Sequence, residues 1–138
     1  MSKIKGIIEW FETCPLVETA GYVDVNQLNP EAEALGMYKQ PAVTVQELAD
    51  GSKLITENYY LLFRRAAQLK EERFDNEDYL DAVEDWFEKQ LYAENYPQIG
   101  FRVHDMAMSN ALYMLERDSE EAVYQLTISI QYEREVKN

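Results

Sequence analysis

A strict alternation of apolar and polar residues near the end of the chain constrains the fold more than any other feature. Between residues 124 and 132, tyrosine, leucine and isoleucine occupy every second position, and glutamine, threonine and serine lie between them. Because successive side chains of a β-strand point to opposite faces, this period of two predicts a half-buried strand. At about 3.3 Å per residue the strand would span roughly 30 Å, which is longer than the usual strand of about 5–6 residues. Its apolar face is predicted to be core.

The size and composition of the chain predict one folded domain over residues 1–138. Its hydrophobic content of 46% is too high for a disordered chain. We see no run of about 20 apolar residues that would suit a membrane helix, and residues 1–9 lack the apolar centre of a signal peptide. These observations predict a protein made in the cytoplasm with no membrane partner. Cys14 is the only cysteine, so an intramolecular disulfide is excluded.

The charge balance opposes a general affinity for nucleic acid. The chain has 26 acidic and 13 basic side chains, and its formal charge of -13 would repel a phosphate backbone. We therefore predict no sequence-specific nucleic-acid partner. The one basic patch is Arg64 and Arg65, followed by Lys70 and Arg73 among glutamates. The sequence leaves the role of this patch open.

A first helix is predicted to begin after Ser2, a favourable N-cap, and to end before Pro15. Its apolar residues recur at helical spacing: Ile4, Ile7, Ile8 and Phe11. Cys14 lies at the predicted boundary. We expect it to be a small packing residue, because a nucleophilic cysteine would need a base that only His104 could supply.

The middle of the chain is predicted to hold a β-hairpin. Residues 21–25 suggest a short extended segment, and residues 26–40 are polar and predict a loop. Residues 42–48 and 53–64 then predict two strands. Asp50 and Gly51 join them, and this dipeptide suits the positive φ angles of a tight turn.

A second helix is predicted to begin at a cap provided by Asp75 or Asn76. Its apolar stripe consists of Leu80, Val83, Phe87 and Leu91, with Tyr79 and Trp86 beside it. Its other face carries Glu77, Asp81, Glu84 and Glu88, flanked by Asp78 and Asp85. A single helical face spreads its carboxylates along the surface, whereas metal binding and acid–base catalysis need them to converge. We therefore expect a solvated face or a protein contact, and the sequence leaves open which of the two it is.

The last third is predicted to return to extended structure over residues 101–105 and 106–115, followed by a loop at residues 117–121 and the final strand. The only histidine, His104, precedes Asp105, but a catalytic or metal-binding histidine needs further ligands or an oriented partner. We predict no catalytic, cofactor-binding or metal-binding residues and no enzyme activity. The predicted fold class is α+β, with a mainly antiparallel β-sheet flanked by two principal α-helices.

Several short segments occur in an order that is similar to that of a known family. They are WFETCP at residues 10–15, GYVDV at 21–25 leading to Leu28, DGS at 50–52 opening a strand that ends in Phe63 and Arg64, WF at 86–87, YP at 96–97, and YQL at 124–126. In this order the sequence resembles the tail-terminator proteins of long-tailed phages and prophages of Gram-positive bacteria, which are also labelled minor capsid proteins. The resemblance covers nearly the whole chain. Residues 66–75 depart from it.

The resemblance implies a structural role in the virion. Tail terminators assemble as a homo-oligomeric ring, commonly a hexamer, on the end of a completed tail tube, where they stop tube growth and offer a surface to the head–tail connector. The implied partners are further copies of the chain, the tail tube protein and the connector protein. The implied locations are the bacterial host cytoplasm during assembly and then the tail–head junction. No cofactor or reaction is implied.

An alternative function from another class is a monomeric acidic protein-binding module or inhibitor that presents its carboxylates to a basic surface. An enzyme is the least favoured class, since the sequence contains no catalytic constellation.

Overall fold

The computed structural model describes residues 2–17, 23–25, 27–28, 35–66, 69–117 and 121–135. In chain order its helices and strands are α1 (Lys3–Phe11), β1 (Val23–Val25), β2 (Leu35–Glu47), β3 (Lys53–Ala66), α2 (Lys70–Tyr92), β4 (Arg102–Arg117) and β5 (Glu121–Arg134). The predicted α+β class is confirmed. Within these ranges, no helix is long and apolar enough to cross a membrane.

The five described strands form one sheet in the order β1-β2-β3-β5-β4. β1 runs parallel to β2, and the other neighbours are antiparallel. The central pair, β3 and β5, stays in register from Lys53 opposite Arg134 to Ala66 opposite Glu121. The strand predicted from the alternation is confirmed as part of β5, and its apolar side chains are buried.

The start and end of α1 agree with the sequence prediction. The Ser2 side chain accepts a hydrogen bond from the backbone N–H of Lys5 at 3.3 Å, and the helix ends at Phe11. Cys14 is 1% exposed and packs in the core, as predicted. Trp10 joins the two helices, because its ring centroid lies 4.9 Å from that of Trp86 and its indole N–H donates to the carbonyl of Asn95 at 2.8 Å.

The hairpin at Asp50 and Gly51 is confirmed, with Gly51 at φ +88° and β2 antiparallel to β3. The loop prediction is wrong for residues 35–40, which belong to β2. Leu35 and Met37 pair with β1 on one side and β3 on the other, and both are buried. The extended segment is confirmed for Val23–Val25, while residues 21–22, 26 and 29–34 of these predictions lie outside the described ranges.

The predicted start of α2 is also wrong, because the helix begins at Lys70. The Glu72 side chain accepts a hydrogen bond from the Leu69 N–H at 2.8 Å and so caps the helix there. Asn76 lies inside the helix, 2% exposed, and its amide donates to the carbonyl of Ala66 at 2.9 Å. The predicted apolar stripe is confirmed, with Leu80, Val83 and Phe87 fully buried and Leu91 half-buried.

The last two strands differ from the prediction in their bounds. β4 runs as one strand through Arg117, and β5 begins at Glu121, so both ends of the predicted 117–121 loop are strand. Residues 118–120 lie outside the described part of the chain. β4 pairs antiparallel with β5, which makes the two strands a hairpin.

The core lies between the two helices and one face of the sheet, here called the inner face. The helices leave one end of this face uncovered. There, β2 and β3 continue beyond the start of α1 as a distal arm, which consists of residues 43–47, the turn at Asp50 and Gly51, and residues 53–55. Val43 and Val45 lie opposite Glu57 and Ile55 and therefore point to the inner face, yet they are 46% and 50% exposed.

Candidate interaction site

A buried carboxylate marks the boundary between the core and the distal arm. Glu57 lies on the inner face between Ile55 and Tyr59 and is 3% exposed. The Tyr59 hydroxyl donates a hydrogen bond to its Oε2 at 2.8 Å, and the Tyr132 hydroxyl donates to its Oε1 at 3.0 Å. Both carboxylate oxygens are therefore satisfied by neighbouring side chains.

Two lysines compensate the negative charge of Glu57. Lys39 Nζ lies 3.3 Å from its Oε1, and Lys3 Nζ lies 3.7 Å from the same atom. Lys3 is the first residue of α1, whereas Lys39 belongs to β2. The Glu57 network thus ties the start of α1 to three strands of the sheet.

The protonation states in this network suit an anchor. Burial by itself would raise the pKa of Glu57, but the hydrogen bonds from Tyr59 and Tyr132 and the charges of Lys3 and Lys39 outweigh it and hold that pKa below its usual value. Burial raises the pKa of Tyr132 to about 12 and raises that of Tyr59 further. At neutral pH the carboxylate is charged and both phenols remain donors, so none of the three is poised to exchange protons near pH 7.

An open cleft with a volume of about 1050 Å³ lies beside the network, along the distal arm. Its apolar and aromatic lining consists of Val43, Val45, Ile55, Phe101 and Tyr132. Its basic lining consists of Lys3, Lys39, Lys53, Arg102 and Arg134. Its acidic lining consists of Glu57, Glu133 and Glu135. Gly51 and Gly100 complete it.

Basic residues outnumber acidic ones in this cleft, whereas acidic residues outnumber basic ones in the whole chain. Five basic and three acidic residues line it, whereas the chain has 13 basic and 26 acidic residues. Glu57 is already paired with Lys3 and Lys39. In the described part of the molecule, Lys53, Arg102 and Arg134 form no ion pair. The cleft is therefore a locally positive surface on an acidic protein, and it suits a negatively charged partner.

Aromatic rings hold some of the basic groups in place. The Phe101 ring lies against the Tyr132 ring, with a centroid distance of 4.9 Å. Lys3 Nζ lies 5.8 Å from the Phe101 centroid, and Arg134 Cζ lies at the same distance from it. These are cation–π distances, so the rings hold both cations in place.

The acidic face of α2 is mostly exposed in the single chain. Glu77, Asp78, Asp81, Asp85 and Glu88 are exposed, and Glu84 is half-buried. None of the six forms an ion pair with a residue that the structure describes. Over the same ranges, no three His, Cys, Asp or Glu residues are arranged to hold a metal ion. The face therefore presents uncompensated carboxylates to solvent.

Other residues considered in the sequence make local contacts. His104 Nε2 lies 3.1 Å from Glu133 Oε2 on the neighbouring strand, so its partner is not Asp105. The Arg65 guanidinium lies over the Tyr79 ring at 4.1 Å, and its Nε donates to Asn76 Oδ1 at 2.7 Å. Arg65 is thus committed to the contact between β3 and α2.

Sequence reasoning missed Glu57, although a signal for it was present. The apolar residues Ile55 and Tyr59 define the buried face of β3, and Glu57 lies between them in the same period of two. An ionisable residue at a core position requires partners. Those partners come from distant segments, so the sequence could have indicated Glu57 but not the network around it.

No protein-family model matches the chain, and no curated protein is significantly similar to it. The functional interpretation therefore depends on the cleft, the α2 face and the resemblance described above.

Proposed function

We propose that the chain is a ring-forming structural subunit that completes the tail of a phage or prophage. In this role the ring caps the tail tube, ends its growth and joins the tail to the head connector. The sequence resemblance supplies the proposal. The structural observation that supports it best is the distal arm, where Val43 and Val45 lie exposed on the inner face of the sheet, next to the basic cleft.

The distal arm supports assembly because Val43 and Val45 on its inner face remain about half exposed, although Ile55 beside them is buried. Elsewhere on this face the apolar side chains of β3 and β5 are buried under the helices. An apolar surface that is bordered by charged groups is typical of a protein contact. A second subunit or a tail component that covered the arm would complete the layer that the two helices begin.

The edges of the sheet favour assembly through faces. β4, at one edge, has register irregularities at three places along its pairing with β5. At the other edge of the described sheet, β1 pairs with residues 35–37 of β2, and further along β2 come Pro41 and an irregularity between Lys39 and Val43. Bulges and proline at edge strands oppose the addition of another strand. The cleft and the α2 face are therefore the better contact surfaces.

No enzymatic activity is part of the proposal. The only buried carboxylate network in the described ranges is that of Glu57, and its protonation states make it an anchor. The basic cleft and acidic helix serve as binding surfaces and need no cofactor.

The proposal is tested by the mass and the activity of the purified chain. We expect native mass spectrometry and electron microscopy at increasing concentration to show a closed ring, alone or with tail tube protein encoded beside it. Tubes polymerised in its presence should be shorter and capped at one end. An unrelated acidic protein of similar size is the control and should leave tube length unchanged.

A strict monomer that neither binds tube ends nor limits tube length would contradict the proposal. If that monomer bound a basic protein through the exposed face of α2, the acidic binding module would be the better function.

A further inference from the structure

We propose that the acidic face of α2 docks into the basic cleft of a second copy of this chain. The inference rests on the proposed ring and names the contact that builds it. The occupant of the cleft is thus the helix stripe formed by Glu77, Asp81, Glu84 and Glu88 of a neighbouring subunit. The cleft side of the contact is formed by Lys53, Arg102 and Arg134, with Val43 and Val45 on its floor.

The first argument is charge complementarity. The cleft contains the basic groups Lys53, Arg102 and Arg134 without ion-pair partners among the described residues, and the α2 stripe contains carboxylates in the same condition. In a chain with twice as many acidic as basic side chains, a basic surface is the exception. On an identical molecule, the α2 face offers it a described acidic surface of six carboxylates. Bringing the two together replaces repulsion between acidic subunits with local attraction.

The second argument is length. The stripe from Glu77 to Glu88 covers 11 residue steps of α-helix, or about 16 Å at 1.5 Å per residue. The cleft runs along β2 and β3 from Lys39, which lies opposite Tyr59, to Lys53, six residue steps before Tyr59. At about 3.3 Å per step, this is about 20 Å. The cleft is therefore long enough to receive the stripe, with Lys53 and Arg134 opposite each other at its outer end.

The third argument is that the α2 stripe of one subunit cannot reach the cleft of that same subunit. Asn76, next to the start of the stripe, bonds to Ala66 at one end of β3, whereas the cleft contains Lys53 at the other end. These ends are 13 residue steps apart, or about 43 Å along the strand. The helix covers about 18 Å from Asn76 to Glu88, so even the end of the stripe remains about 25 Å short of Lys53. The two surfaces are different patches at different places, so contact between copies is head-to-tail. A head-to-tail contact generates a ring when its rotation closes.

The contact would combine apolar burial with charge. Val43 and Val45 are about half exposed in the single chain, and a helix in the cleft would cover them. Cation–π contacts already position Lys3 and Arg134. Because the paired charges lie near the surface, we expect the association to weaken as salt is added.

The test exchanges charges between the two surfaces. In the cleft variant, Lys53 and Arg134 are both changed to Glu. In the helix variant, Glu77, Asp81 and Glu88 are all changed to Lys. Each variant alone places like charges at every contact, and we expect at least tenfold weaker self-association by sedimentation velocity and native mass spectrometry.

An equimolar mixture of the two variants should restore assembly. In the mixture, the acidic cleft of one variant meets the basic helix of the other, and the unchanged cleft meets the unchanged helix. Complexes should therefore contain both variants in alternation, with an even number of subunits. The matched control changes Lys5 and Lys70 to Glu, which alters the net charge as much as the cleft variant does. Both control residues are exposed and outside the cleft, so assembly should persist.

The outcomes separate this inference from the proposed function. Circular dichroism and thermal unfolding first establish that each variant folds. If the wild-type chain forms rings and both folded variants form them equally well, the docking inference is wrong and the proposed function stands. If only the cleft variant loses binding to tube protein while its rings persist, the cleft serves tube protein and the inference is again wrong. A wild-type chain that stays monomeric with and without tube protein would contradict both the docking inference and the proposed function.

Discussion

At the scale of single residues, Glu57 shows how one buried charge organises this molecule. A carboxylate at a core position costs free energy unless hydrogen bonds and opposite charges compensate it. Two tyrosine hydroxyls and two lysines provide that compensation, and they come from α1, β2, β3 and β5. The same lysines form one wall of the cleft. Glu57 therefore sets the position of basic groups that a partner would meet.

We predict that Glu57→Gln lowers the free energy of unfolding by about 1.5–3 kcal/mol near neutral pH, because hydrogen bonds to a charged acceptor become bonds to a neutral one. The pKa of Glu57 is lower in the folded than in the unfolded chain. Its stabilising contribution is thus present above the unfolded value of 4.5 and is lost as the pH falls through the lower folded value. Urea unfolding across this acidic range should show a weaker pH dependence in the variant.

The control for this prediction is Glu9→Gln. Glu9 forms an exposed ion pair with Lys5 at 3.9 Å, so its change should alter stability by less than about 0.5 kcal/mol. Equal losses of stability at Glu57 and Glu9 would show that the buried network stabilises the fold no more than an exposed ion pair does.

At the scale of the elements, α1 is held close to the segment that leads into β4. A Cβ atom at Gly6 would overlap the backbone carbonyl of Gln98, so a glycine is needed there for the close approach. Ile7 and Ile99 on either side of the contact are buried. This contact fixes α1, and with it Lys3, at the border of the cleft.

We predict that Gly6→Ala destabilises the fold by about 1–3 kcal/mol, because two backbone segments must separate. Alanine is the better helix former by about 1 kcal/mol, so helix propensity alone predicts the opposite sign. Lys5→Ala, at the next exposed position of the same helix, is the control and should change stability by less than about 0.5 kcal/mol. Thermal unfolding of the two variants checks both signs, and a more stable Gly6→Ala would contradict the close contact.

The helices and strands also show which features local sequence patterns predict and which depend on contacts with distant segments. The alternation in β5 and the Ser2 cap of α1 are local signals, and both were read correctly. The start of β2 was missed because residues 35–40 become a strand only through pairing with β1 and β3. The start of α2 was misplaced because Asn76 satisfies its amide with Ala66 and Tyr124 instead of a helix terminus. The cleft combines residues from both ends of the chain, so no single segment could have predicted it.

At the scale of the whole molecule, the sheet is longer than the helix layer that covers it. The distal arm therefore exposes apolar surface without enlarging the core. Exposed apolar surface is unfavourable in water unless a partner covers it. A chain of formal charge -13 also resists association with itself unless specific contacts overcome the repulsion. In the proposed ring, both features would make assembly depend on the cleft.

We predict that Val43→Thr with Val45→Thr leaves the folded subunit intact but weakens its assembly. Both side chains are about half exposed, and threonine keeps the β-branched shape, so each change should cost less than about 0.5 kcal/mol of stability. Sedimentation velocity should show a smaller assembled fraction than for the wild type. Val25→Thr is the control, because Val25 is also 46% exposed but lies in β1, away from the cleft. Equal assembly in both variants would rule out the arm as a contact.

The register between β3 and β5 has a mechanical consequence. The two strands pair without interruption over the whole length of β3, from the cleft to the opposite end of the sheet. Their hydrogen bonds lie perpendicular to the strands. A pull along the strands would load all of these bonds together in shear, whereas a pull at a hairpin end would open them one after another. We therefore expect the chain to resist tension most strongly along β3 and β5, from the cleft to the end of the sheet where α2 begins.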